Sequence, residues 1–339
     1  MTSKAHANVQ FQEKATVASA PQRKGSTRKK ASRTGKPACT LVAGTSVKPK
    51  QRKAAAKTPM GAEEWQFPDS KVREGLNGPD PVLMNKQAGF VNRLMDIYFR
   101  MEIGGWENLP PQASLLIGGH SGGPLTMDAW TTIYAWWRHF GDSRPLHGTA
   151  HEVLMKTPGL GRYFRRGGVI NPTRENIEAA FARRHDVILW PGGEVDAFRS
   201  WSKRDQVVLG ERTGFIRMAI RTNTPIVPVA TIGGHDTLFV LSEGRWLAKL
   251  LKLRKYLRSD VAPITLSFPF GIALHVTPLQ HIPLPAKIRT EFLKAVYFDG
   301  DPALADDPDY VLQKYEEVQA RIQEGMDMLA KRRKFPIFG

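Results

Sequence analysis

Apolar positions along this chain follow two periods in turn. From residue 80 to 103, Val82, Leu83, Phe90, Val91, Leu94, Ile97, Tyr98 and Met101 recur at helical spacing, with Arg93, Asp96 and Arg100 between them. That spacing predicts one amphipathic helix. Three short apolar runs then appear, each closed by paired glycines: Leu115–Ile117 before Gly118-Gly119, Val187–Trp190 before Pro191-Gly192-Gly193, and Ile226–Thr231 before Gly233-Gly234. Runs of this length ending in glycine turns read as buried strands. Helical patterns separate them: an aromatic one through Trp130, Tyr134, Trp136 and Trp137, one through Leu154 that breaks at Pro158-Gly159, one starting near Thr173 with Glu175 in its first turn, and one over Gly214–Arg221. Trp246–Leu257 alternates Trp and Leu with Lys and Arg as a basic amphipathic segment, residues 264–283 read as strands with Pro/Gly turns, and a last charged amphipathic helix runs from Pro308 to Lys334 as a lid.

Strands alternating with helices imply an α/β fold, and ligands are expected where the strand ends meet. The expectation is a single domain over residues 80–300, a central mixed, mostly parallel sheet flanked by helices. The helix of 307–335 packs on it, and a disordered basic tail of 1–60 precedes it.

Charge changes this picture only at one end. The formal net charge is +17, yet residues 1–60 hold 14 Lys/Arg against the single Glu13, while the rest has 35 Lys/Arg against 31 Asp/Glu. A nucleic-acid-binding domain is expected to carry its basic patch on the folded part, so no specific nucleic-acid partner is expected. The tail has too few apolar residues to order itself. It reads either as a polybasic arm drawn to anionic lipid or nucleic acid, or as a solubilising or cleaved extension. It lacks the apolar core of a secretory signal, although its composition is like that of a transit peptide. The only cysteine, Cys39, lies in it, which leaves the body without a disulfide, a thiolate nucleophile or a cysteine metal site. No window approaches the length of apolar run that spans a membrane. The helix of 80–103 and the Trp246–Leu257 segment each fit either core packing or a membrane surface.

The loop Leu115–Trp130 (LLIGGHSGGPLTMDAW) presents an imidazole, a hydroxyl and a carboxylate together, and it supports three readings. His120 is a general base oriented by Asp128. Alternatively, Gly119-His120-Ser121-Gly122-Gly123 is a nucleophile elbow with Ser121 attacking, as in a lipase or esterase; His235, His275 and His281 follow in the chain, but no acid partner stands out. The third reading is a plain tight turn with Asp128 capping a helix. Two further segments suit an anion: the basic turn with Arg162, Arg165 and Arg166, and Pro191-Gly192-Gly193-Glu194 followed by Arg199, Lys203 and Arg204.

Four segments in this order, GGHSGGPLTMD, GRYFRRGGVINPTREN, WPGGEVDAFR and RTGFIRMAIRTNTPIVPVATIGGHDTLF, resemble the glycerophospholipid acyltransferase superfamily, and more closely its branch near the diacylglycerol acyltransferases. The resemblance covers roughly residues 82–300. It implies His120 and Asp128 as the catalytic pair, with Ser121, Gly122, Arg165, Arg166, Gly192, Gly193, Glu194 and Arg199 around the substrates. It also implies an acyl group passed from acyl-CoA or acyl-carrier protein to a lipid hydroxyl, with no metal and no cofactor beyond that co-substrate. The expected setting is the cytoplasmic, inner face of a membrane, held peripherally. Two departures from the family pattern stand out. The usual Asn-His-x4-Asp is here Gly119-His120, with Asp128 eight positions on rather than five. Pro-Gly-Gly-Glu replaces the Glu-Gly-Thr-Arg of the phospholipid-making branch, which favours a neutral acceptor, a glyceride or long-chain alcohol. The remaining option is a non-catalytic lipid- or nucleic-acid-binding protein acting through the tail.

Overall fold

In the computed structural model, which describes residues 76–256, 259–275 and 280–335, the glycine-terminated runs lie side by side. The tail of 1–60 and Cys39 lie outside the described residues. The elements are, in order, α1 (Pro81–Arg93), β1 (Glu102–Gly104), β2 (Leu115–Gly118), α2 (Met127–Phe140), β3 (Leu146–His147), α3 (Glu152–Lys156), α4 (Leu160–Arg166) and α5 (Arg174–Ala182). Then come β4 (Asp186–Leu189), α6 (Gly193–Ala197), α7 (Gly214–Thr222), β5 (Ile226–Ile232), β6 (Phe239–Ser242), α8 (Arg245–Leu250) and α9 (Leu253–Tyr256). The last are β7 (Ile264–Ser267), β8 (Gly271–Leu274), β9 (Arg289–Phe292) and α10 (Pro308–Lys331). Six strands form one sheet in the order β1-β9-β5-β2-β4-β3, parallel at every pairing except β5 with β9. This is the mixed, mostly parallel sheet that the runs predict. A separate antiparallel sheet, β6-β7-β8, was not part of that expectation.

Strand parity decides which helix each residue meets. Successive side chains point to opposite faces, so Leu115, Ile117, Val187, Leu189, Ile226 and Ala230 join the core with α5, α7 and α10, while Leu116, Ile188, Trp190, Val227 and Val229 face Trp136 of α2. Both faces are covered, which is why these runs are continuously apolar. Trp190, one residue past β4, therefore falls on the same side as α2.

Three helical expectations change. The helix of 80–103 begins as read, with Asp80 capping the Val82 and Leu83 amides, but gives way after Arg93 to a π turn over Leu94–Tyr98. The wider turn lets Tyr98 Oη and Arg100 Nη2 each donate 2.6 Å bonds to the carbonyls of Pro283 and Pro285. The basic segment read over Trp246–Leu257, whose last residue lies outside the described residues, forms two short helices, α8 and α9, because Lys252 adopts a left-handed φ of 52°. α10 is no lid. It buries Val311, Val318, Ile322 and Met326 in the main core, and a Cβ on Gly325 would stand 2.7 Å from Ala230 Cβ, so glycine lets the helix approach β5. Among the described residues no helix is long and apolar enough to cross a membrane.

His147 in β3 gives the fold a pH dependence. Its Nδ1 donates to the Gly168 carbonyl at 2.8 Å. Burial lowers its pKa to about 4 and so keeps the ring neutral, which leaves Nε2 to accept from His185 Nδ1 at 2.9 Å. The folded-state value lies below the ordinary one, so the unfolded chain takes the proton first. This contribution is complete above the ordinary histidine range of about 6.5 and is lost as pH falls toward 4, by about 3 kcal/mol in all. Urea unfolding across that window should show the decline, and NMR should show the His147 ring still neutral after exposed histidines have titrated.

Candidate active site

β2 ends where α2 must be brought back over it. Gly122 and Gly123 take φ values of 83° and 66°, and Thr126 one of 39°. Glycine accepts such left-handed turns without strain. The chain makes a short 3-10 turn over Gly123–Leu125 and enters α2 at Met127. Asp128, in the first helical turn, then reaches the loop. Its Oδ1 accepts the Ser121 amide at 2.6 Å and the Ser121 hydroxyl at 3.1 Å, and its Oδ2 lies 3.1 Å from His120 Nδ1. The eight-residue spacing thus still pairs the carboxylate with the imidazole. A helix N-terminus also favours the negative charge.

An ionised carboxylate only accepts, so His120 Nδ1 carries the hydrogen and Nε2 keeps its lone pair. Among the described residues Nε2 has no hydrogen-bond partner, and the side chain is 17% exposed. The ring stacks on Trp190, centroids 4.9 Å apart and planes within 6°. One nitrogen is held and the other is open to an incoming group.

A second carboxylate, which sequence reasoning missed, holds the loop from beneath. Asp196 of α6 is fully buried, accepts the His120 amide through Oδ2 and ion-pairs with Arg199 through Oδ1. Burial pushes its carboxyl up, to about 7, against the pull of the Arg199 guanidinium and of His120. Asp196 also explains Gly119. A Cβ there would sit 3.1 Å from Asp196 Oδ2, so the asparagine of the usual motif would press on this carboxylate. The spacing Asp196-x-x-Arg199, which brings the two side chains together at the end of α6, was the available signal. The face-sharing of Trp190 with α2 needed the sheet order.

The other predicted residues are placed as follows. Gly122 and Ser121 are in the loop. The Ser121 hydroxyl is buried and given to Asp128, and a Cβ on Gly234 would fall 1.9 Å from it. The elbow reading thereby loses its exposed nucleophile. His235 is buried beside the loop and held neutral by burial, well below the ordinary range. Asp236 is committed to Trp201 Nε1 at 2.8 Å, with Arg204 and Arg333 each 3.4 Å away. Gly192 supports close packing: its Cβ would meet the Val208 carbonyl at 2.0 Å. Gly193 takes φ 55°, and Glu194 Oε1 accepts the Asp260 amide at 2.7 Å. Arg199 is buried behind the loop, on Asp196 and the Arg204 carbonyl. Arg165 and Arg166 lie on a helix, α4, rather than a turn. Arg166 makes a two-nitrogen contact with Asp80, at 2.6 and 2.9 Å, and holds that carboxyl below its usual range; Arg165 Nη1 donates to the Met155 carbonyl at 2.9 Å.

A family model described as diacylglycerol acyltransferase matches residues 84–278, more than half of the chain and including both carboxylates, His120 and Trp190. The chain belongs to the diacylglycerol acyltransferase family. An uncharacterized protein of Mycobacterium tuberculosis is 26% identical over 246 residues, covering 71% of this chain and 65% of that protein. Phytyl ester synthase 1, chloroplastic, of Arabidopsis thaliana is 27% identical over 202 residues, 55% of this chain and 28% of that one. The crystal structure of the 1-acyl-sn-glycerophosphate acyltransferase of Thermotoga maritima aligns with a TM-score of 0.43 and 17% identity, covering 74% of this chain and 81% of that one. The chain spans about 65% of the length of the mycobacterial relatives it matches. In this diacylglycerol acyltransferase family member, the matched region supplies all three loops that surround His120.

The Asp196–Arg199 pair yields a stability test. Above pH 7, where Asp196 is ionised, Arg199→Met leaves a buried carboxylate without its counter-charge and should cost about 3–5 kcal/mol. Asp196→Asn in the same chain should return most of that loss, because the asparagine oxygen still accepts the His120 amide. Denaturant unfolding of both single variants and the double variant measures the coupling; additive losses would show that the pair does not act as a unit.

Proposed function

We propose that this chain transfers an acyl group from a thioester, acyl-CoA or acyl-carrier protein, to the hydroxyl of a neutral lipid, a glyceride or long-chain alcohol. One observation carries the reading: an imidazole whose Nδ1 is held 3.1 Å from Asp128 Oδ2 while Nε2 makes no hydrogen bond among the described residues. Nε2 takes the hydroxyl proton as the alcohol oxygen bonds to the thioester carbonyl carbon. The tetrahedral centre then collapses, the C–S bond breaks, and the imidazolium returns the proton to the departing thiolate. No enzyme-bound acyl intermediate is required. The His120 and Ser121 amides are already used by Asp196 and Asp128, which leaves those of Gly122 and Gly123 as the loop's donors to the oxyanion.

The family and the phytyl ester synthase relative both fit acyl transfer to a neutral acceptor. A largely apolar cavity of about 680 Å³ opens between α1, the π turn and α2, walled by Phe90, Val91, Leu94, Met127 and Trp130, the last two on either side of Asp128 in sequence. Its volume is in the range of small-molecule sites, and in this reading it takes an acyl chain. Val91→Trp should then raise KM for long-chain donors more than for short-chain ones; equal losses would remove the assignment.

The central test incubates purified protein with labelled acyl-CoA and a panel of diglycerides, lysophospholipids and fatty alcohols. His120→Ala should lose at least about 10²–10⁴-fold in kcat. Ser121→Ala should keep activity within about tenfold, since Asp128 retains the ring and the Ser121 amide. An abolished Ser121→Ala variant would instead restore a serine hydrolase.

A further inference from the structure

The small sheet is built inside out. Register pairs Phe239 with Leu266, Leu266 with Ile272, and Ile264 with Leu274, so these side chains share one face; Val240, Thr265 and Ala273 share the other. The inward side carries buried Thr265 and Ser267, with Thr265 Oγ1 3.2 Å from buried His275 Nδ1 and the His281 ring 5.1 Å from that of His275. The outward side is apolar: Ile272 is 70% exposed, Leu266 44%, and the β7–β8 turn adds Phe268 at 63% and Phe270 at 57%. A water-facing antiparallel sheet has the opposite order, apolar in and polar out. From Val261 to Ala286 the chain contains no Asp, Glu, Lys or Arg at all. A contiguous exposed apolar face of this kind marks an interaction surface.

Charge identifies the occupant. The connection from β6 to β7 is the α8–α9 segment; from Arg245 to Ser259 it carries Lys and Arg but no acid, and the flanking Glu243 and Asp260 pair with Arg245 and Arg254, so the segment keeps a net positive charge. Trp246, Leu250 and Leu251 are exposed on it as well. The Ala262 amide donates to the Glu243 carbonyl at 3.1 Å and ties the connection to one end of the sheet. The phenylalanine turn is at the other end, four residues or about 13 Å away. An uncharged face with cations along one margin is complementary to a bilayer carrying anionic phosphates. A second copy of this chain would instead bring cations against cations.

We propose that the outer face of β6-β7-β8 docks on an anionic phospholipid surface. Phe268, Phe270, Leu266 and Ile272 enter the headgroup–acyl boundary, and the cations of α8 and α9 meet lipid phosphates. This deepens the proposed acyl transfer, on whose lipid acceptor it rests, by stating which side of the domain meets the lipid.

The test uses the full chain and has two arms. In a Cys39→Ser background, Phe270→Cys supplies a single thiol for an environment-sensitive fluorophore. Vesicles of phosphatidylcholine with phosphatidylglycerol should shift its emission to the blue, and nitroxide-bearing lipid should quench it. An unshifted, unquenched label overturns the proposal. In the second arm, Phe268→Ser/Phe270→Ser/Ile272→Ser should weaken vesicle co-sedimentation by at least about tenfold at high salt, where attraction through the basic tail is screened. Undiminished co-sedimentation overturns the proposal, as does a variant that changes only from dimer to monomer by light scattering. His120→Ala should bind vesicles as the parent does. Turnover can therefore fail with docking intact, or docking with turnover on dispersed substrate intact, and the two readings stand or fall separately.

Discussion

The carboxylate of Asp128 is the constraint on which the site depends. It satisfies three donors from two consecutive residues, the His120 ring and the amide and hydroxyl of Ser121. Without it, a buried amide and a buried hydroxyl would lose their acceptor, at about 1–3 kcal/mol each, and the imidazole would lose the bond that fixes its tautomer. The left-handed Gly122, Gly123 and Thr126 follow from the need to return the start of α2 to the strand end. Asp196 then does from below what Asp128 does from above. The two carboxylates stand on helices that follow β2 and β4, which are hydrogen-bonded neighbours, so the sheet itself sets the distance between them.

That arrangement also accounts for the place of the site. β4, β2 and β5 are adjacent and parallel, and each ends in a glycine turn on the same edge. The chain leaves β2 toward β3 on one side and later returns to β5 on the other. The loop after β2 therefore opens at a topological switch point, where open α/β sheets form their crevices. Trp190 after β4, His120 after β2 and Gly234 after β5 meet there. Their convergence follows from strand order and parity, and the bond from the His120 amide to Asp196 ties the segments after β2 and β4 together.

Much of this was legible in sequence because it depends on local pattern. Continuous apolar runs closed by glycines identified β2, β4 and β5, apolar spacing at the helical period marked α1 and α10, and Thr173 with Glu175 marked the start of α5. The His120–Asp128 pair was legible too, since both lie within one turn. The burial of Arg199 was not legible because a buried arginine and a ligand-facing one look alike until the fold shows the ion pair with Asp196. The contact of Arg166 with Asp80 was not legible for a related reason, as the two lie 86 residues apart. The π turn and the break at Lys252 follow from tertiary hydrogen bonds and a single left-handed residue, neither of which leaves a periodic trace. The inside-out sheet escaped because alternation gives a strand's two faces but not which one is buried.

The residues that widen the His–Asp loop also connect it to that sheet. Here Gly123 is so close to Leu238, the residue that leads into β6, that a Cβ would stand 2.5 Å from Leu238 Cδ2. Phe198, following the helix that carries Asp196, packs its ring 5.6 Å from that of His275 beneath β7, and Trp201 packs 5.4 Å from Phe239 on β6. Both supports of the His120 loop therefore lean on the small sheet. A surface that seats the sheet would press on the same packing that aims the imidazole. The inserted glycines then have a physical reason beyond spacing: they let the loop lie against the small sheet, so that under the proposed docking the seat of the sheet and the aim of the imidazole share one continuous set of contacts.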